Sequence, residues 1–183
     1  MAKGMSVAAK TEQDPESCYE TPEWLVERIR RAFGGQIDLD PCTTAQNPVG
    51  ATKFVCPPDD GIAYQWANHG ARIFCNPPYG RTISHWTQKA KDAAHDGASV
   101  ILLVPARTDS AWFQDLVVKA SAVLFIKGRL TFRGQKTGAP FPSALVGLNH
   151  HLLDLADLGW LVRQPGFAIY TNGQDLFAEP DHG

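Results

Sequence analysis

Ile73-Phe74-Cys75-Asn76-Pro77-Pro78-Tyr79-Gly80 carries three apolar residues straight into an amide, two prolines and a tyrosine. Adjacent prolines continue neither a strand nor an ordinary tight hairpin, and neither offers a backbone donor. The stretch therefore reads as a buried strand that ends in a rigid corner. A polar amide stands before the corner and an aromatic ring after it.

The flanking sequence repeats this strand-then-corner plan. Residues 36–39 and 51–56 read as short strands, closed by Pro41 and by Pro57-Pro58. Ahead of them Thr21 offers a helix cap, Pro22 suits a first helical position, and Leu25, Ile29 and Phe33 recur on one face up to Gly34-Gly35. Downstream, Ile83, Trp86, Ala90 and Ala94 mark a helical face that stops at Gly97, with Trp86 read as core. Residues 99–104 form an unbroken apolar run, as expected of a central strand covered on both sides. A helix with Trp112, Phe113, Leu116 and Val117 follows, capped by Thr108 or Asp109, and Trp112 too reads as core. Residues 122–126 and 143–148 read as strands on either side of a Gly- and Pro-punctuated segment, 127–142. Residues 150–158 suggest a further helix and 167–170 a last strand.

Strands alternating with helices predict an α/β protein with a doubly wound, mostly parallel sheet and helices on both faces. The chain divides into a small, polar, aperiodic arm (1–17), one domain (18–175) and a short tail (176–183). In such sheets ligands sit outside the carboxyl ends of the strands. Asp38-Leu39-Asp40-Pro41, Asp59-Asp60-Gly61 and Asn76-Pro77-Pro78-Tyr79 all fall at expected strand ends, so they should converge on one rim.

Composition narrows the functional classes. With 183 residues, 44% hydrophobic and 20% charged, the chain is of ordinary globular make-up. No apolar run approaches the roughly 20 residues that cross a bilayer, and the N-terminus has no signal-peptide core, so a cytoplasmic location is expected. Cys18, Cys42, Cys56 and Cys75 form no CxxC pair and read as free thiols; the histidines show no ligand spacing, and no metal is expected. Net charge is −2, yet no acidic residue lies between Asp115 and Asp154, where Lys119, Lys127, Arg129, Arg133 and Lys136 fall. That local excess suits either phosphate contact or a solvated loop.

The chemistry follows from the corner. An exocyclic amine on an aromatic base delocalises its lone pair into the ring and is a poor nucleophile. Two rigid oxygen acceptors about 3 Å from the nitrogen can draw its hydrogens out of plane and free that lone pair. An asparagine oxygen supplies one acceptor and the carbonyl of the following proline the other, with the prolines freezing the bend. A tyrosine face can stack on the base. Asparagine cannot abstract a proton at neutral pH, so the electrophile must be a very good one, such as a sulfonium methyl group.

Asn76-Pro77-Pro78-Tyr79 resembles the catalytic motif of amino-methyltransferases that use S-adenosylmethionine. The ordered set over residues 19–148 resembles phage-type DNA N-6-adenine-methyltransferases, the Dam family. That set comprises Tyr19-x-Thr21-Pro22, Asp38-x-Asp40, Asn47, Asp60-Gly61 with Trp66, the corner itself, Leu103 to Arg107, Trp112-Phe113 and Gly128-Arg129-Leu130-x-Phe132. The resemblance implies a class I methyltransferase fold and methyl transfer from S-adenosylmethionine to a flipped adenine of double-stranded DNA, in the host cytoplasm if phage-encoded, by a monomer or homodimer. It implies catalysis by Asn76, Pro77, Pro78 and Tyr79, and cofactor contacts from Tyr19, Thr21, Pro22, Asp38, Asp40, Pro41 and Asp60. DNA contacts are implied for Arg107, Lys127, Arg129, Phe132, Arg133 and Lys136, the 127–142 segment acting as a short insertion. The glycine-rich cofactor turn usual in sulfonium-using folds is replaced here by Asp-Leu-Asp-Pro-Cys. RNA adenine, a protein glutamine, or a non-catalytic nucleic-acid-binding decoy remain alternative readings.

Overall fold

The computed structural model describes residues 19–66 and 70–149, and the backbone of a strand at 167–171. The helix expected at 150–158, the arm and the tail lie outside the described residues. In chain order the elements are α1 (Glu23–Ala32), β1 (Leu39–Asp40), β2 (Lys53–Phe54), β3 (Arg72–Cys75), α2 (Ile83–His95), β4 (Ser99–Pro105), α3 (Ala111–Val118), β5 (Ala122–Ile126), β6 (Ser143–Leu148) and β7 (Phe167–Thr171). Among the described residues no helix is long and apolar enough to cross a membrane.

The seven strands form one sheet in the order β2-β1-β3-β4-β6-β5-β7. All seven residues of β4 are buried, and their side chains alternate between two cores. Ile101 and Leu103 pack with Leu25, Val26 and Ile29 of α1. Val100, Leu102 and Val104 pack with Trp86 and Ala90 of α2 and with Phe113 and Leu116 of α3. Helices thus cover both faces, and each fully buried Val, Leu or Ile contributes about 1.5–3 kcal/mol. The α1 face closes at Gly34, whose φ of 69° suits glycine, with Gly35 N–H returning to the Arg30 carbonyl at 2.8 Å.

The sheet is mixed rather than mostly parallel. β1, β2, β3 and β4 run parallel, but β6 is antiparallel to both β4 and β5, and β7 is antiparallel to β5. The reason is the 127–142 connection. A parallel return needs a crossover to the far end of the sheet, usually a helix. This segment has none, so β6 turns back from the edge that β5 has just reached and slots between β4 and β5. Two expected caps also differ. Thr21 makes no capping bond to α1 and engages Asn76 instead. α3 starts after Ser110, whose hydroxyl bonds the Arg107 carbonyl.

Candidate active site

Because β1, β3, β4 and β5 point the same way, the turns after them leave from one edge. These are the Pro41–Thr44 turn, the Asn76–Gly80 corner, residues 106–110 and the 127–142 segment. Two of the three expected corners meet closely: an added Cβ on Gly61 would lie 1.8 Å from the Pro41 carbonyl oxygen. The Pro41 and Gly61 turns therefore lie side by side at this edge.

Asn76 is 7% exposed at its centre. Its Nδ2 donates to the Tyr19 carbonyl at 2.5 Å and to Thr21 Oγ1 at 3.1 Å. Its Oδ1 accepts from the Tyr79 hydroxyl at 2.6 Å, and that hydroxyl also lies 3.3 Å from the Leu103 carbonyl. Pro77 is buried and Pro78 half-buried. The Tyr79 ring is stacked on Tyr19 (centroids 5.7 Å apart) and edge-on to Phe141 at 5.3 Å, with Phe132 at 6.1 Å. Burial pushes the Tyr79 phenol well above its ordinary pKa, and Cys75, Tyr19 and Cys42 add in the same direction. It stays a proton donor at neutral pH.

Of the expected cofactor residues, Tyr19 and Thr21 touch Asn76 directly, and Pro22 is the extended N-cap of α1 rather than its first helical residue. Asp40 is buried and its Oδ1 accepts the Cys42 N–H at 3.0 Å, shaping the Pro41 turn. Asp60 is exposed, with Oδ1 capping the Ile62 N–H at 2.8 Å. The hydroxyl of Thr44 is buried with no hydrogen-bond partner among the described residues. An unsatisfied buried hydroxyl costs about 1–3 kcal/mol, which a polar ligand group would offset; the Ser143 hydroxyl on β6 is in the same state. Together with the Asp60 carboxylate and the N–H groups opening α1, the donor set fits a nucleoside with an amino-acid tail.

Asp38 does not join them. Leu39 is level with Ile73 in the sheet, which puts Asp38 and Asn76 four residue steps apart, about 13 Å along the strands. At that amino end the Arg72 Nε donates to Asp38 Oδ2 at 2.9 Å and Nη2 to Oδ1 at 3.1 Å, while Nη1 reaches the Phe33 carbonyl at 3.1 Å. Burial alone would raise the Asp38 pKa. Hydrogen bonds from the Arg72 side chain and backbone, its charge and Gln36 outweigh that, and the net value is lowered. A depressed folded pKa contributes stability above the unfolded carboxylate value, and that contribution is lost as pH falls through the folded value. Asp38→Asn should therefore cost about 1–3 kcal/mol at neutral pH. The gap from wild type should close in acid unfolding titrations below the ordinary carboxylate range; a gap independent of pH would remove the ion pair from the account.

The expected DNA contacts divide. Arg107, Lys127, Arg129 and Lys136 are exposed. Arg133 is exposed but ion-paired with Glu23, and its N–H donates to the Glu20 carbonyl at 2.9 Å. Phe132 is buried in the aromatic cluster with Tyr19, Tyr79 and Phe141. Sequence reasoning missed Phe141 and Arg81. The signal for Phe141 was the apolar spacing Leu130, Phe132, Ala139, Phe141, all buried, on a segment read only for its charge. Trp112, read as core, is half-buried. With Tyr79, Gly80, Arg81, Ile83, Pro105 and Arg107 it lines a rim cavity of about 180 Å³.

The family model described as DNA N-6-adenine-methyltransferase (Dam) matches residues 8–146. The chain is also 25% identical over 113 residues to the DNA N-6-adenine-methyltransferase of Escherichia phage T1. That stretch covers 62% of this chain and 46% of the relative, so the chain spans about half the length of the curated relative it matches.

Proposed function

Because the chain belongs to the DNA N-6-adenine-methyltransferase (Dam) family, we propose that it methylates N6 of adenine in double-stranded DNA, with S-adenosylmethionine as donor. The observation that carries this reading is the side-chain oxygen of Asn76, buried and fixed at the carboxyl end of β3 beside a tyrosine ring. The order of strands, with an antiparallel β6 set inside a parallel run, is read as a variant of the class I methyltransferase sheet.

Bound S-adenosylmethionine would supply a sulfonium methyl electrophilic enough for a neutral amine. Thr44, Asp40, Pro41 and Asp60, with Tyr19, Thr21 and the start of α1 at Pro22, would hold it; Asp38, committed to Arg72, is left out of this set. Asn76 Oδ1 and the Pro77 carbonyl accept the two N6 hydrogens, which pyramidalises the nitrogen and localises its lone pair. The target amine is hidden in a duplex, so the base must be turned out of the stack at a cost of a few kcal/mol. Tyr79 then offers it an aromatic face. Exposed Arg107, Lys127, Arg129 and Lys136 supply phosphate contacts that position the duplex without reading its sequence. On this reading the protein acts where DNA is, in the cytoplasm of the cell that carries it.

The test is methyl transfer itself. Protein incubated with methyl-tritiated S-adenosylmethionine and, in parallel, unmethylated plasmid DNA, total RNA and a glutamine peptide is expected to label DNA, the label recovered as N6-methyladenine. Label in RNA or peptide alone overturns the reading.

A further inference from the structure

In the free protein a hydroxyl donor already sits on the oxygen to which the substrate amine would have to donate. Asn76 Oδ1 accepts from the Tyr79 hydroxyl at 2.6 Å, while both Nδ2 hydrogens are engaged by the Tyr19 carbonyl and Thr21. The phenol therefore fixes the amide's orientation and covers its oxygen, and Asn76 is 7% exposed. A buried acceptor with no donor costs about 1–3 kcal/mol. An oxygen shaped to receive an amine must be satisfied by something else whenever no amine is there.

We propose that the Tyr79 hydroxyl is a stand-in for the substrate amine: it occupies the Asn76 oxygen in the free protein and is displaced from it when an amino-bearing base arrives. This rests on the function proposed above and adds a role for Tyr79 beyond stacking. Three observations support it. The hydroxyl has a second acceptor within 3.3 Å, the Leu103 carbonyl, so it can leave Asn76 without losing every partner. The same ring borders the rim cavity of about 180 Å³, which gives it a direction in which to yield. Gly80, the next residue, would meet nothing within 4 Å of an added Cβ, so the chain beside the ring is not jammed.

The exchange also sets specificity. Whatever replaces an O–H donor on a buried oxygen must itself donate. At the exocyclic position that corresponds to adenine N6, cytosine N4 also carries N–H groups, whereas thymine O4 and guanine O6 would bring acceptor against acceptor.

Tyr79→Phe keeps the ring and removes the stand-in. Single-stranded oligo-dA and oligo-dT avoid the cost of extrusion, and their binding by fluorescence anisotropy needs no turnover. Loss of a competing hydrogen bond is expected to tighten oligo-dA binding about fivefold with oligo-dT unchanged. In the methylation assay the KM for DNA should fall by a similar factor, and a melting temperature for the free variant confirms that it is folded. A hydroxyl serving only structure would shift both oligonucleotides together or neither. Unchanged or weaker oligo-dA binding overturns the stand-in role even if wild-type protein methylates DNA. A shift in oligo-dA binding without methylation by the wild type overturns the proposed activity instead.

Discussion

Gly61→Ala is expected to lower the stability of the folded protein by about 3 kcal/mol or more, or to prevent folding. The argument is one of space. An added Cβ would sit 1.8 Å from the Pro41 carbonyl oxygen, 3.0 Å from its carbon and 2.7 Å from the Trp86 ring. None of these can withdraw cheaply. The Pro41 turn is braced on both sides, by Val55 N–H to the Asp40 carbonyl at 2.9 Å and Thr43 N–H to the Val55 carbonyl at 3.1 Å. Trp86 is buried against Trp66, whose indole N–H donates to the Gly61 carbonyl at 2.7 Å. The methyl therefore meets backbone on one side and a packed indole on the other, and a relaxed structure would pull the β1 turn off the β2 turn. Gly80→Ala is the matched control: its Cβ would enter open space, and its stability should stay within about 0.5 kcal/mol of wild type. Urea unfolding of the three proteins decides. An unfolding midpoint for Gly61→Ala equal to wild type means the two turns are not packed as described.

Gly61 also shows what sequence could and could not disclose. Its place after Asp60 was legible as part of a motif, but the reason for a glycine, contact with a turn twenty residues earlier in the chain, exists only once β1 and β2 are paired. The strands β5 and β6 were legible to the residue, because unbroken apolar runs between glycines and prolines leave little choice of ends. The direction of β6 was not read. Direction depends on whether the preceding connection crosses the sheet, and residues 127–142 were weighed for charge rather than for their lack of a helical period. The charge of the same segment suggests a DNA surface for Phe132. Charge and aromatic content describe a nucleic-acid contact and a hydrophobic anchor equally well, and only the alternation of Leu130 and Phe132 with exposed Arg129, Thr131 and Arg133 separates them. Asp38 and Asp40 differ by two positions and hence share a strand face. Which of them stands at the working end depended on where the ladder begins. Asp38 N–H already bonds the Arg72 carbonyl at 2.8 Å and Leu39 is level with Ile73, which leaves Asp38 beside Arg72 at the amino end. The corner itself was the most readable feature, since two prolines restrict the backbone whatever surrounds them. Its hydrogen bonds to Tyr19 and Thr21 were not, being made across more than fifty residues of chain.

Asn76→Ala is expected to reduce kcat/KM for DNA methylation by about 100- to 1,000-fold, the usual cost of deleting one preorganised hydrogen-bonding group at a reacting centre. The same change has a structural consequence that must be separated from the chemical one. It leaves the Tyr19 carbonyl, the Thr21 hydroxyl and the Tyr79 hydroxyl without the partner they share, and the fold should lose about 1–3 kcal/mol. Thr21→Ala divides the two effects. It removes one acceptor from Nδ2 but leaves the Tyr19 carbonyl to orient the amide, so Oδ1 keeps its position and the activity loss should stay below about tenfold. Unfolding measured on both variants at the assay temperature shows how much of each loss reflects unfolded protein. If folded Asn76→Ala methylates DNA within tenfold of wild type, the amine is being activated elsewhere. The buried amide would then be a strut joining the start of α1 to the end of β3. If Thr21→Ala is as inactive as Asn76→Ala while both remain folded, orientation of the amide rather than its oxygen is what the reaction requires.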